Sequence, residues 1–206
     1  MKEMKDKKDG RLPSECTTII VGDRMTADGS RIFARSGDFN ALKAAVFERF
    51  EDTEDGPREF VAVDSPFRCP LPAKALGYSA IPDFGYPGEW GAAGYNSEGI
   101  GMSATETIFS SDAVLAIDPY VEEGLAENSV YNVVIPYIHS AREGVERLGK
   151  LIEEHGSAEG FGVGFMDSKE VWYLENAGGH RFLACRIPED RYFVTGNQSR
   201  FREYDP

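Results

Sequence analysis

The sequence is short of the residues that most often mark a site. It has three cysteines and three histidines in 206 residues. An odd cysteine count without a CxxC pair argues against a disulfide framework and against a structural zinc site. His139, His155 and His180 share no metal-ligand spacing and read as structural or surface residues, so neither a metal nor a cofactor is expected. A papain-type Cys–His enzyme is disfavoured for the same reason, because that chemistry needs a partnered imidazole. No apolar run approaches the length that crosses a bilayer, so no membrane partner is expected. Met1 to Glu15 is charged throughout and lacks the hydrophobic segment of a secretory signal, which points to the cytoplasm. Positive charge is also scarce, with 22 Lys and Arg against 35 Asp and Glu and a net charge of −13. Nucleic-acid binding is therefore disfavoured, because neutralising phosphates takes a surplus of Lys and Arg on one face. The acid excess reads most simply as a solubility feature. There is no internal repeat and no low-complexity linker.

What is present fits one soluble domain, with 41% hydrophobic and 28% charged residues. The first half reads as strands and turns. Thr17 to Val21 and Arg31 to Arg35 flank the turn Ala27-Asp28-Gly29-Ser30. Further strand-like runs are Ala44 to Phe50, Glu59 to Val63 and Leu76 to Ile81, and Glu89 to Tyr95 with Gly99 to Thr107 around the turn Asn96-Ser97-Glu98. Cys69, between Arg68 and Pro70, reads as a loop residue. The middle is helical. Val130, Val133, Val134, Tyr137 and Ile138 share one face at helical spacing, which predicts a helix over 129–139 capped by Asn128 or Ser129. Pro136 conflicts with that helix. Ser140 to Glu143 reads as a capping box, followed by a helix with Val145, Leu148, Leu151 and Ile152 on one face and a stop at Gly156. Four strand-like runs follow, Gly162 to Met166, Glu170 to Leu174, Arg181 to Ile187 and Tyr192 to Thr195. Cys185 lies in the third of these and reads as a buried small hydrophobe. Strands, two helices and strands again predict an α+β fold of mostly antiparallel sheet with helices on a face.

Cys16 opens the first strand, and Arg35 and Asp38 close the second. If the Glu15–Cys16 bond were cut, Cys16 would carry both a thiol and a free α-amine. A free thiol titrates near about 8.5 and an α-amine near roughly 7.7–8.0, so the amine can take the thiol proton near neutral pH. Arg35 would stabilise the thiolate and Asp38 would hold the amine and the arginine. Oxyanion donors would come from the side chains of Asn96 and Asn197 or from backbone N–H groups near Ala104 to Glu106. Singly, each residue has a plainer explanation. Cys16 alone is more often a packed strand cysteine, Arg35 and Asp38 a surface ion pair, and both asparagines turn residues.

The order of the motifs resembles the dipeptidase A family of cysteine peptidases, N-terminal-nucleophile (Ntn) hydrolases that include the secernins. The resemblance is carried by Cys16-Thr17-Thr18-Ile19-Ile20-Val21-Gly22, Ala27-Asp28-Gly29-Ser30, Ala34-Arg35-Ser36-Gly37-Asp38 and Gly94 to Thr107. It continues through Ile135-Pro136-Tyr137 to Leu148, Trp172-Tyr173-Leu174-Glu175 with Gly178-Gly179-His180, and Asn197-Gln198. It implies stacked antiparallel sheets flanked by helices (αββα), with 1–15 as a leader and 16–206 as the N-terminal part of a longer peptidase domain. It makes Cys16 the nucleophile, released by autoproteolysis, with Arg35 and Asp38 the charged pair, Asn197 an oxyanion donor and Asn96 an asparagine near the site. Ser36-Gly37 stands where family members usually carry Asn-Glu. The implied reaction is dipeptide hydrolysis, with a small peptide as partner and a homo-oligomer an open option. An amidase of the penicillin or bile-salt acylase type and a truncated non-catalytic paralogue remain as alternatives.

Overall fold

Alternation along the first strand decides which way its side chains point. In β1 (Cys16–Val21), Thr18 and Ile20 are buried while Ile19 is 40% exposed. The period of two puts Cys16 on the buried face with Thr18 and Ile20. The structure is a computed structural model that describes residues 16–37, 46–82, 90–106 and 108–201. The strands after β1 are β2 (Ile32–Gly37), β3 (Glu48–Phe50), β4 (Glu59–Val61), β5 (Arg68–Pro70), β6 (Tyr78–Pro82), β7 (Gly91–Tyr95) and β8 (Gly101–Glu106). Three helices follow, α1 (Asp112–Leu115), α2 (Glu127–Val134) and α3 (Ala141–His155). The last strands are β9 (Phe161–Met166), β10 (Val171–Asn176), β11 (Phe182–Arg186) and β12 (Tyr192–Thr195).

Among the described residues these strands make a three-stranded sheet, β12-β1-β2, and a seven-stranded sheet, β11-β10-β9-β8-β7-β6-β3, with β4 and β5 as a separate hairpin. Every strand pairing in them is antiparallel. The two larger sheets stack face to face. Ile20, Phe33 and Phe193 from the small sheet pack with Val171, Tyr173 and Ile187. The close approach needs a glycine, because a Cβ on Gly164 of β9 would lie 2.4 Å from Phe33 Cζ. The other face of the large sheet carries α2 and α3, burying Val130, Val134, Leu148 and Ile152 with Val163 and Phe165. The described residues thus build three layers, helices on sheet on sheet. The outer face of the small sheet leaves Ile19, Ile32, Tyr192 and Val194 exposed.

The helices depart from the sequence expectation in informative ways. The first begins at Glu127 rather than near Ser129 and passes into a 3-10 turn over Ile135–Tyr137. Ser129 sits inside the first turn, where its Oγ accepts from Ala126 N at 3.1 Å and donates to Ala126 O at 2.8 Å. Pro136 has no N–H to give and its ring crowds the preceding turn, so α geometry stops before it. At the start of α3, Ser140 Oγ accepts from Glu143 N at 3.1 Å, half of the expected capping box. The other half is displaced by one residue, because Glu143 Oε2 accepts from His139 N at 2.7 Å. Gly156, at φ 75°, ends the helix as expected.

Candidate active site

Strand register brings the site together. Thr18 at the centre of β1 faces Arg35 on β2 and Thr195 on β12. Two residues earlier, Cys16 faces Gly37. The same antiparallel register, continued two residues past Thr195, sets Asn197 opposite Cys16. Asn197 Oδ1 accepts from Cys16 N at 2.7 Å. Arg35 shares the inward face with Thr18 and lies diagonal to Cys16, within reach of a long side chain. Its Nη2 donates to Cys16 Sγ at 3.0 Å. The contact sets a guanidinium directly against the sulfur.

The arginine is held from the helix layer. Arg35 Nη2 also lies 3.2 Å from Glu127 Oε1, with the two side chains only 14% and 9% exposed. Glu127 opens α2, where an acid is favoured by the helix dipole. Its own N–H donates to Glu159 Oε1 at 2.7 Å. Arg35 Nε is buried and has no hydrogen-bond partner among the described residues. Buried donors are nearly always paired, so this nitrogen is an exception within the site.

Of the residues expected from sequence, the structure gathers Cys16, Arg35 and Asn197. Asp38 lies outside the described residues. Asn96 is placed elsewhere. Its Nδ2 donates to Ile135 O at 3.1 Å and Ile138 O at 2.8 Å, and its Oδ1 accepts from Glu98 N at 3.1 Å and Ile100 N at 3.0 Å. Those bonds use both donors and both lone pairs, leaving nothing to offer an oxyanion. Asn96 is a buried plug joining the β7–β8 turn to the segment after α2. Ala104 to Glu106 lie in β8, paired with Val163 to Phe161 of β9.

The remaining candidates settle in structural places. Cys69 is in β5 rather than a loop and is 2% exposed, and burial pushes its thiol up to about 11. Cys185 is partly buried on β11, and burial raises its thiol too. His180 Nδ1 lies 2.9 Å from Asp118 Oδ1 and His139 Nδ1 lies 2.9 Å from Glu98 Oε2. The ring of His155 meets Phe67 edge-on at 5.7 Å. Among the described residues, no cluster of His, Cys, Asp or Glu has the makings of a metal site. No helix among them is long and apolar enough to cross a membrane. A cavity of about 540 Å³ opens elsewhere, lined by Phe50, Phe60, Leu71, Tyr78 and Tyr137, and neither Cys16, Arg35 nor Asn197 borders it.

Two acids escaped the sequence reading. Glu127 fell just outside the expected helix start. Glu175 was part of a motif but carried no role, although an acid inside an apolar strand signals a buried charge that needs partners.

The model of peptidase family C69 matches residues 15–206. A protein named "Probable dipeptidase" from Salmonella dublin is 48% identical over 195 residues, covering 93% of this chain and 45% of that protein. "Probable dipeptidase B" from Lactococcus lactis is 43% identical over 198 residues, covering 95% of this chain and 42% of that protein. The chain therefore spans less than half the length of these curated relatives. Among solved structures, penicillin V acylase from Agrobacterium tumefaciens superposes with a TM-score of 0.53 at 13% identity, covering 83% of this chain and 49% of the acylase. At that identity the likeness speaks for the fold alone, stacked antiparallel sheets with helices on a face.

Proposed function

The chain belongs to peptidase family C69, and from that premise we propose that it is the nucleophile-bearing part of a cysteine dipeptidase. The observation that carries the reading is the double grip on one residue, with Asn197 at the Cys16 nitrogen and Arg35 at its sulfur.

In this reading the Glu15–Cys16 bond is cleaved and residues 1–15 leave, so that Cys16 N becomes a free α-amine. The amine takes the thiol proton, directly or through water. Sγ attacks the peptide carbonyl carbon while Arg35 balances the charge left on sulfur. Asn197, whose Oδ1 accepts from the Cys16 nitrogen, is assigned the role of oxyanion donor. The C–N bond breaks, the leaving amine takes the proton back from the α-amine, and a thioester remains. Water, deprotonated by the same amine, attacks the thioester and frees the second amino acid and the thiol. Asp38 is assigned the task of holding the amine and Arg35. Three unpaired thiols suit a reducing compartment, which supports a cytoplasmic location.

Intact mass and dipeptide turnover of the purified protein test this together. The expected result is a chain beginning at Cys16, with turnover abolished in Cys16→Ala. Full turnover by a chain that retains Met1 to Glu15 would overturn the processing step, and turnover of acyl amides but not dipeptides would move the substrate class.

A further inference from the structure

The loop that carries Asn197 is tied down by one buried carboxylate. Glu175 lies on β10, is 2% exposed, and by alternation shares the inter-sheet face with Val171 and Tyr173. A carboxylate in such a place is costly unless its oxygens are well hydrogen-bonded. Four of its hydrogen bonds come from the chain just past β12. Oε1 accepts from Arg200 N at 2.7 Å. Oε2 accepts from Ser199 Oγ at 2.8 Å, Arg200 N at 3.0 Å and Phe201 N at 3.2 Å. The Arg200 and Phe201 amides lie beyond the end of β12, and among the described residues no strand pairs with them.

Asn197 therefore sits on a short span fixed at both ends. On one side Thr195 pairs with Thr18 of β1. On the other, two residues past Asn197, the Glu175 bonds begin. Between them Gln198 N donates to Gly196 O at 2.8 Å, and Thr195 Oγ1 donates to Gly196 O at 3.0 Å. Phe201 adds an apolar lock, its ring 6.2 Å from that of Tyr173. With both ends fixed the asparagine has little freedom, and Oδ1 meets Cys16 N at 2.7 Å.

We propose that Glu175 is a positioning residue for the nucleophile: by gathering Ser199, Arg200 and Phe201 it sets Asn197 against the Cys16 nitrogen. The inference rests on the reading of Cys16 as an N-terminal nucleophile. Glu175 touches no reacting atom and acts through Asn197.

The test uses the full chain with Glu175→Ala, Glu175→Gln and Ser199→Ala. Iodoacetamide labelling is resolved by peptide mass spectrometry, so that Cys69 and Cys185 serve as internal references, and urea unfolding is run beside it. Glu175→Ala is expected to slow Cys16 labelling at neutral pH roughly tenfold, the equivalent of one charged hydrogen bond lost, with the reference thiols unchanged. Glu175→Gln keeps one carbonyl oxygen for Arg200 N and should recover part of the rate, to within about threefold of the parent. Ser199→Ala removes one of the donors without adding charge and should cost about twofold. Unchanged Cys16 labelling in all three variants overturns the proposal, as does a change shared equally by all three cysteines in step with lost stability. Dipeptide turnover, measured in parallel, separates the two readings. Slowed labelling in the variants, beside a parent that turns over no dipeptide, sinks the dipeptidase assignment alone. Normal labelling in Glu175→Ala beside Cys16-dependent turnover sinks the positioning role alone.

Discussion

Arg35 Nη2 lies 3.0 Å from Cys16 Sγ, and the same nitrogen lies 3.2 Å from Glu127 Oε1. A cation and an anion thus act on one sulfur with opposite sign. Arg35→Met removes the cation and is expected to slow Cys16 labelling by iodoacetamide at neutral pH at least about tenfold. Glu127→Gln keeps an oxygen for Arg35 but removes the negative charge, so labelling should quicken, by about threefold. Slower labelling in Glu127→Gln would show that the carboxylate's grip on Arg35 matters more than its repulsion of the thiolate.

Asn96 gives a prediction of a different kind. Two of its four bonds join the β7–β8 turn to Ile135 and Ile138 and two brace the turn itself, in a place that is 5% exposed. Asn96→Ala strands two buried carbonyls and two N–H groups and should cost about 2–4 kcal/mol in urea unfolding, given roughly 1–3 kcal/mol for each group left unpaired and partial relief by water. Cys16 labelling in the folded fraction should match the parent. A stable Asn96→Ala protein with slowed labelling would return Asn96 to the site.

Much of this could be read from residue order. Strand-like runs around the turn Ala27 to Ser30 marked both strands of the Cys16 pair, and helical spacing with Ser140 and Gly156 at the ends marked α3 almost to the residue. The start of α2 was harder because its N-cap is Ala126, which has no side-chain acceptor, while Ser129 one turn later imitates a cap by bonding back to it. Asn96 misled because an asparagine beside Ser97 and Glu98 looks the same in sequence whether its amide faces solvent, a substrate or two buried carbonyls. Asn197 was legible as a motif, but its place opposite Cys16 depends on the β1–β12 register, a pairing that spans nearly the whole chain. Glu127 and Glu175 matter through contacts between layers, which no local pattern encodes.

Gly164 tests the contact between the sheets. Its missing Cβ leaves room for the Phe33 ring, which would otherwise sit 2.4 Å away, and Phe33 is two residues before Arg35 on the same face of β2. Gly164→Ala should push β2 off the large sheet, costing about 1–3 kcal/mol by overpacking and slowing Cys16 labelling as Arg35 moves. Adding Phe33→Leu makes space for the new methyl and should restore part of both losses. If the double variant is as impaired as the sum of the two single ones, the damage does not pass through Phe33.

Asp167 links the helix layer to the turn between β9 and β10, and its contribution should depend on pH. Its Oδ2 accepts from Ala141 N at 2.8 Å at the start of α3, and its Oδ1 accepts from Lys169 N at 2.7 Å and Glu170 N at 2.9 Å. Burial acts to raise this carboxyl, but the three N–H bonds and the Lys169 charge outweigh it and hold the group below its ordinary value. A carboxyl lowered by folding stabilises the fold fully above its unfolded pKa, about 3.9, and loses that contribution as pH falls through the folded value. Asp167→Asn keeps one acceptor oxygen but cannot ionise. In urea unfolding the parent should therefore be the more stable at neutral pH, and the gap should hold down to about pH 5 and then close as acid protonates Asp167. A gap that stays constant into acid would assign the loss to the shape of the cap rather than to its charge.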